Sequence, residues 1–267
     1  MKILIIGGGN MGLTYARGFL KSHIVELGNM YILEKSPEKA EDLRSLEIGQ
    51  VYGNPGSYIK QMDLIVLAVK PQDIDRLFAS IKDYIDPQQL ILSIMAGVTT
   101  DTIAQGLNAQ KVIRAMPNLP AQIGAGMTVY TSSDEVTRVE LVTVQNLLSA
   151  SGKTIYVERE EMLNAATAVS GSGPAYVFYF MQSLIEAGKD MGFTQSEAEL
   201  LTYQTFKGAV DLFNKYDFSC EEWIKKVSSK GGTTEAAING FNKNTIKNSF
   251  KDGVNAALKR AEELSQA

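Results

Sequence analysis

Between Met1 and about Lys153, short apolar runs alternate with longer amphipathic segments. The runs "KILIIG" (2–7), "MYILEK" (30–35), "DLIVLAV" (63–69), "QLILSIM" (89–95) and "KVIRAM" (111–116) are nearly continuous in apolar residues. That is the pattern of strands buried on both faces of a parallel sheet, and the segments between them suit crossover helices. An N-terminal Rossmann-like, doubly wound α/β domain with a mostly parallel sheet is therefore predicted. A further strand pair is predicted at "GAGMTVYT" (124–131) and "KTIYVE" (153–158), with a helix over 133–151 between them.

After Glu158 the strand pattern stops. Helical spacing of apolar residues predicts helices over 160–170, 174–192, 195–216, 220–227, 234–243 and 246–264, as with Val177, Phe180, Met181, Leu184 and Ile185. The expected division is an α/β domain at 1–158 and an all-α domain at 159–267. The aromatic face with Tyr176, Phe180 and Leu184 suits core or dimer packing.

Composition narrows the function classes. A chain of 267 residues, 45% apolar, can bury the cores of two domains. Its 26 basic and 30 acidic residues leave a formal charge of -4 with no dense basic run, so nucleic acid is not an expected partner. The longest apolar run, "LIVLAV" (64–69), is far shorter than the roughly 20 residues that span a bilayer, and glycines end the apolar start of "MKILIIGGG" before a signal peptide forms. A soluble, cytoplasmic protein is expected, with no membrane partner. The single cysteine, Cys220, forms no intrachain disulfide, and the single histidine, His23, excludes most histidine-based catalysis and most zinc sites. No metal is expected.

Gly7, Gly9 and Gly12 in "GGGNMG" form GxGxxG directly after the first strand, and Asn10 and Met11 begin the amphipathic segment that follows. In that context the glycines permit a tight turn and close approach of a pyrophosphate to the free N–H groups of a helix start, so dinucleotide binding is predicted. The second strand ends in Glu34, an acid suited to the ribose hydroxyls of NAD. Lys35 and Ser36 follow, a cation and a hydroxyl suited to the 2′-phosphate of NADP. NADPH is the expected cofactor, with NADH the alternative: NADP fits if Glu34 points away, and NAD if it points inward.

Two other Gly/Ser clusters punctuate the helical half. "SGSGP" (170–174) places Ser172 or Gly173 at a helix N-cap and Pro174 at the first helical position. "SSKGGTTEAA" (228–237) interrupts an otherwise helical stretch. There Gly231 and Gly232 let backbone N–H groups converge, Ser229 adds a hydroxyl, and Thr233 and Thr234 precede a helix start. Those features suit either an anion-binding loop or a capped helix junction.

"AVKP" (68–71), "RAMPNLPAQIGAGMT" (114–128), "SGSGPAYVF" (170–178) and "GGTTEAA" (231–237) stand in order behind the glycine loop. Together they resemble the pyrroline-5-carboxylate reductase family, over essentially the whole chain. The resemblance implies reduction of L-1-pyrroline-5-carboxylate to L-proline by hydride from NAD(P)H. It also implies that the helical domain carries the substrate loop and is the one through which subunits dimerise, often with further assembly into decamers. It places Ala68, Val69, Lys70, Ala96 and Gly97 along the cofactor, and Asn54 near the adenosine phosphate. Ser229 and the Gly231, Gly232 and Thr233 loop would hold the substrate carboxylate, and Thr234 would hydrogen-bond the ring nitrogen as the catalytic residue. The chain departs from the family at Lys230, where proline is common, and at Leu119, where threonine is. An imine that enters protonated needs no strong general acid, which suits a chain with one histidine. The rival readings are a 3-hydroxyacid-type dehydrogenase and a dinucleotide sensor without turnover. The former needs a base, often a lysine in a Gly-rich helix start, whereas Lys189 falls late in its helix.

Overall fold

The computed structural model describes residues 1–266. Among them eight strands form one sheet in the order β3-β2-β1-β4-β5-β6-β7-β8. These are β1 (Ile3–Ile6), β2 (Met30–Leu33), β3 (Gln50–Tyr52), β4 (Leu64–Leu67), β5 (Leu90–Ser93), β6 (Lys111–Met116), β7 (Gly126–Ser132) and β8 (Gly152–Tyr156). Strands β1 to β6 pair in parallel, β7 runs antiparallel to β6, and β8 is parallel to β7.

The continuous apolar runs follow from burial on both sides. Ile3, Ile5, Leu64 and Val66 face one core, which α1 (Asn10–Lys21), α2 (Pro37–Ser45) and α5 (Arg138–Ser149) cover through Tyr15, Phe19, Leu43 and Leu147. Leu4, Ile6, Ile65 and Leu67 face the other, under Phe78 and Ile81 of α3 (Ile74–Ile81) and Ile103 and Leu107 of α4 (Thr100–Leu107). Both periods therefore carry large apolar side chains. Strand β3 is not among the predicted strands. It has three residues, none buried, at the sheet edge, and no apolar run to announce it.

The helical stretch after β8 differs from the prediction at its start. Only α6 (Met162–Ala166) is α-helical, and Thr167–Gly171 form a π turn in which the Ser172 N–H donates to the Thr167 carbonyl at 2.8 Å. The Thr167 and Ser170 hydroxyls donate to the carbonyls four residues back, Leu163 and Ala166, a competition that loosens the ordinary ladder. Ser172 has helical dihedrals, φ −81° and ψ −20°, so the expected N-cap at Ser172 or Gly173 is absent. Pro174 offers no N–H to the Ser170 carbonyl, and the Asn118 side-chain amide donates to that carbonyl instead, at 3.0 Å. Asn118 also accepts the Met127 N–H at 2.9 Å, so it joins the β6–β7 connection to the π turn.

The remaining helices are α7 (Gly173–Asp190), α8 (Gln195–Lys215), α9 (Cys220–Val227), α10 (Thr233–Lys243) and α11 (Ile246–Gln266). By packing, the chain divides into one unit of Met1–Ser172 with Ala257 onward, and a second of Gly173–Ala256. This division follows contacts rather than element type. Strand β8, α6 and the π turn belong to the sheet's unit, and so does the end of α11, where Ser265 donates to the Asn164 side chain at 2.8 Å. Within the second unit α7 packs on α8, with Gly188 against Ala198, yet among its described residues only Ala198 and Thr202 are buried. Phe178, Tyr179, Leu200 and Phe213 are each more than 50% exposed, far more apolar surface than an isolated helical unit leaves in water. Among the described residues, no helix is long and apolar enough to cross a membrane.

One buried ion pair fastens the chain where it leaves the sheet. Arg114 on β6, 3% exposed, donates to Glu160 at 2.8 Å, and the same carboxylate accepts the Thr100 N–H at 2.9 Å at the start of α4. Glu160→Ala strands the guanidinium and should cost about 3 kcal/mol. The thermal midpoint should then fall by roughly 5–10 °C, with a smaller fall for Glu160→Gln.

Candidate active site

The strand order reverses between β1 and β4, opening a crevice at the carboxyl ends of the parallel strands where sheets of this kind bind ligands. Gly7 leaves β1 at φ +104°, and a Cβ there would stand 2.7 Å from the Ala68 carbonyl oxygen. A Cβ on Gly12 would overlap the Gly7 carbonyl oxygen, so the absence of a side chain lets α1 settle on the loop. Gly9, by contrast, would direct a Cβ at no protein atom within 4 Å. It caps α1, whose first turn holds no acid and whose first helical bond is Leu13 N–H to the Gly9 carbonyl, at 2.9 Å. The N–H groups of Asn10, Met11 and Gly12 therefore precede the ladder and present a positive helix end to open space. That cradle fits a dinucleotide diphosphate.

Glu34 is turned inward, the direction expected to suit NAD, but its carboxylate lies against the backbone of the glycine loop. It is 7% exposed, and its carboxylate accepts the Gly8 N–H and the Ser36 N–H, both at 2.9 Å. Both oxygens are thus engaged in shaping the glycine loop and the start of α2. Lys35 points outward, 75% exposed, and pairs with Asp73 at 2.9 Å, a hydrogen bond that holds the Asp73 carboxyl below the ordinary carboxylate range. Ser36 caps α2 by accepting the Lys39 N–H. Asn54 is exposed after β3, its carbonyl accepts the Tyr58 hydroxyl at 3.1 Å, and Tyr58 stacks on Tyr52. Ala68, Val69 and exposed Lys70 follow β4, and Ala96 and Gly97 follow β5. Gly97 has φ +76° and lies against the Leu264 backbone near the end of α11.

The second loop lies within the helical unit. The Gly232 N–H donates to the Ser229 carbonyl at 2.9 Å, closing a four-residue turn with Gly231 at φ +73° and Lys230 outside the positive-φ region. That is the signature of a type II turn, which needs glycine at its third position and favours proline at its second. Gly232 is extended, φ −85° and ψ 172°, and caps α10, and a Cβ on it would overlap the Ser229 hydroxyl. The first helical bond is Ala236 N–H to the Gly232 carbonyl at 3.1 Å, which leaves the Thr233 and Thr234 N–H groups outside the ladder. The Gly231 N–H is engaged by the Glu235 carboxylate at 2.7 Å. Gly231 therefore shapes the loop, while Ser229, Thr233 and Thr234 carry its open donors.

Comparison with known proteins decides the family. A family profile described as pyrroline-5-carboxylate reductase dimerisation matches residues 160–264, and one described as NADP oxidoreductase, coenzyme F420-dependent, matches residues 2–97. The pyrroline-5-carboxylate reductase of Staphylococcus haemolyticus is 32% identical over 268 residues, covering 100% of this chain and 98% of that protein. The chain belongs to the pyrroline-5-carboxylate reductase family. A solved family structure from Coxiella burnetii superposes with a TM-score of 0.89 at 32% identity, covering 100% of this chain and 99% of its own. Another, from Plasmodium falciparum with NADP bound, gives 0.89 at 27% identity, covering 99% and 98%.

Three residues at this family's loops escape a reading by motif. Glu34 carries no sign of its direction, because an acid after β2 suits both a ribose contact and a loop contact. Asn118 answers the missing N–H of Pro174, which a motif reading assigns to a helix start. Glu235 was legible in principle, as an acid three residues after a helix cap.

Gly9→Ala and Gly12→Ala separate the two uses of the glycine loop. Gly12→Ala should lower both the thermal midpoint and NADPH affinity. Gly9→Ala should leave the midpoint unchanged while weakening NADPH at least about tenfold, because only the ligand occupies the space it fills. Thermal melts and fluorescence titration with NADPH check both.

Proposed function

We propose that the protein reduces L-1-pyrroline-5-carboxylate to L-proline, using NADPH in preference to NADH. The observation that carries this reading is the loop at 229–234, whose open donors suit a small carboxylate, in a chain that also holds a diphosphate cradle at 7–12. A reduced nicotinamide bound through that cradle supplies the hydride for the imine carbon. Asn10, Met11 and Gly12 meet the diphosphate with backbone N–H groups. Each oxygen of Glu34 is engaged by a backbone N–H group, and in this reading Lys35 and Ser36 are the groups for a 2′-phosphate. Asn54, Ala68, Val69, Lys70, Ala96 and Gly97 line the rest of the cofactor in this reading.

The Ser229 hydroxyl and the Thr233 and Thr234 N–H groups hold the substrate carboxylate, while Gly231 and Gly232 supply the turn. The Thr234 hydroxyl hydrogen-bonds the ring nitrogen and fixes the imine carbon for attack. The imine arrives protonated, so the hydride completes the secondary amine without a proton from the chain. This accounts for a site that needs no histidine.

Oligomerisation follows from the dimerisation family match and from the exposed apolar faces of the helical unit. In this proposal those faces form a homodimer, dimers assemble into a decamer, and the protein resides in the cytoplasm. Light scattering of the purified protein decides between dimer and decamer.

Thr234→Ala should lower kcat with pyrroline-5-carboxylate by roughly 10–100-fold, leaving the Kd for NADPH unchanged. Unaltered turnover would remove Thr234 from the mechanism. Lys35→Ala should raise the KM for NADPH about tenfold and leave that for NADH in place. Equal effects on both cofactors would contradict a 2′-phosphate contact.

A further inference from the structure

Glu235 stands in the first turn of α10, the helix whose leading N–H groups are proposed to hold an anion. An acid at that place opposes anion binding, and α1, which opens the diphosphate cradle, has none in its first turn. The position of Glu235 calls for a use that outweighs this cost. Its carboxylate accepts the Gly231 N–H at 2.7 Å, a charge-assisted bond between the start of the helix and the middle of the preceding turn.

That turn is otherwise weakly determined. It is closed by one backbone bond, from Gly232 N–H to the Ser229 carbonyl at 2.9 Å. Its third residue, Gly231, is exposed and sits at φ +73° with open space where a Cβ would stand. Its second residue is Lys230, exposed, with free rotation about φ where proline would have locked it. Yet the turn sets where the Ser229 hydroxyl lies, because that oxygen rests against Gly232 at the helix cap.

We infer that Glu235 is a positioning residue, a lock on the 229–232 turn that takes the place of a stiff second residue and holds Ser229 beside the N–H groups of Thr233 and Thr234. The inference rests on the proposed role of this loop in carboxylate binding. It assigns Glu235 to the shape of the substrate site and gives it no direct contact with substrate.

The test compares Glu235→Ala, Glu235→Gln and Lys230→Pro, and Glu235→Ala combined with Lys230→Pro, in the full-length enzyme. Glu235→Ala should raise the KM for pyrroline-5-carboxylate about tenfold, with the Kd for NADPH within about twofold of wild type. It should also speed hydrogen exchange at the Gly231 amide in the protein alone. Glu235→Gln keeps an oxygen acceptor for the same N–H and should stay within about threefold of the wild-type KM. Lys230→Pro should restore the KM of Glu235→Ala, because a fixed φ at the second turn position does the work of the lost bond. An unchanged KM in Glu235→Ala, a Glu235→Gln variant as impaired as Glu235→Ala, or failure of proline to rescue would each overturn the inference. A wild-type enzyme that oxidises no NADPH with the imine would instead overturn the functional reading, and the Gly231 exchange rates would still report on the lock.

Discussion

The crevice at the carboxyl edge of the sheet depends on how closely α1 approaches the end of β1. Gly12 lacks the Cβ that would strike the Gly7 carbonyl, and Gly7 takes a left-handed turn past the end of β4 that an L side chain would resist. A larger residue at either position would lift the helix and carry the N–H groups of Asn10 and Met11 away from the crevice. Glu34 completes the arrangement from the neighbouring strand by accepting the Gly8 N–H. An acid whose residue type suggests a contact with ribose thereby also binds the loop's own backbone, while Lys35 points outward and Ser36 caps α2.

The helical unit obeys a different constraint. With only Ala198 and Thr202 buried among its described residues, it lacks a core of its own of the kind the sheet possesses. Its exposed Phe178, Tyr179, Leu200 and Phe213 are explained by association, in keeping with the dimerisation family to which residues 160–264 belong. The loop at 229–234 is built on this unit.

Much of the fold was legible in the sequence, because strands buried on both faces leave continuous apolar runs and core-facing helices leave a 3.6-residue period. Strand β3 was not, since three edge residues carry neither signal. At 160–174 the sequence predicts a helix and a capped restart, because Ser, Gly and Pro in series mimic a cap. In the structure the Thr167 and Ser170 hydroxyls favour a π turn instead, and Asn118 takes the carbonyl that Pro174 cannot serve. The glycines of both loops were legible as loops. Of the carboxylates that shape them, Glu34 leaves no sign of its direction in the sequence, whereas Glu235 carries the spacing of an acid three residues after a helix cap. The second position of the turn at 229–232, where Lys230 stands, rewards a fixed φ, which is why the proline expected there by resemblance would suit it.

Product analysis of the purified protein with NADPH and pyrroline-5-carboxylate tests most directly whether the two loops serve imine reduction. One proline formed for each NADPH oxidised, with no reduction of NADP by 3-hydroxy acids, is the predicted result. NADPH that binds but is not oxidised in the presence of the imine, or oxidation of a 3-hydroxy acid in its place, would contradict it.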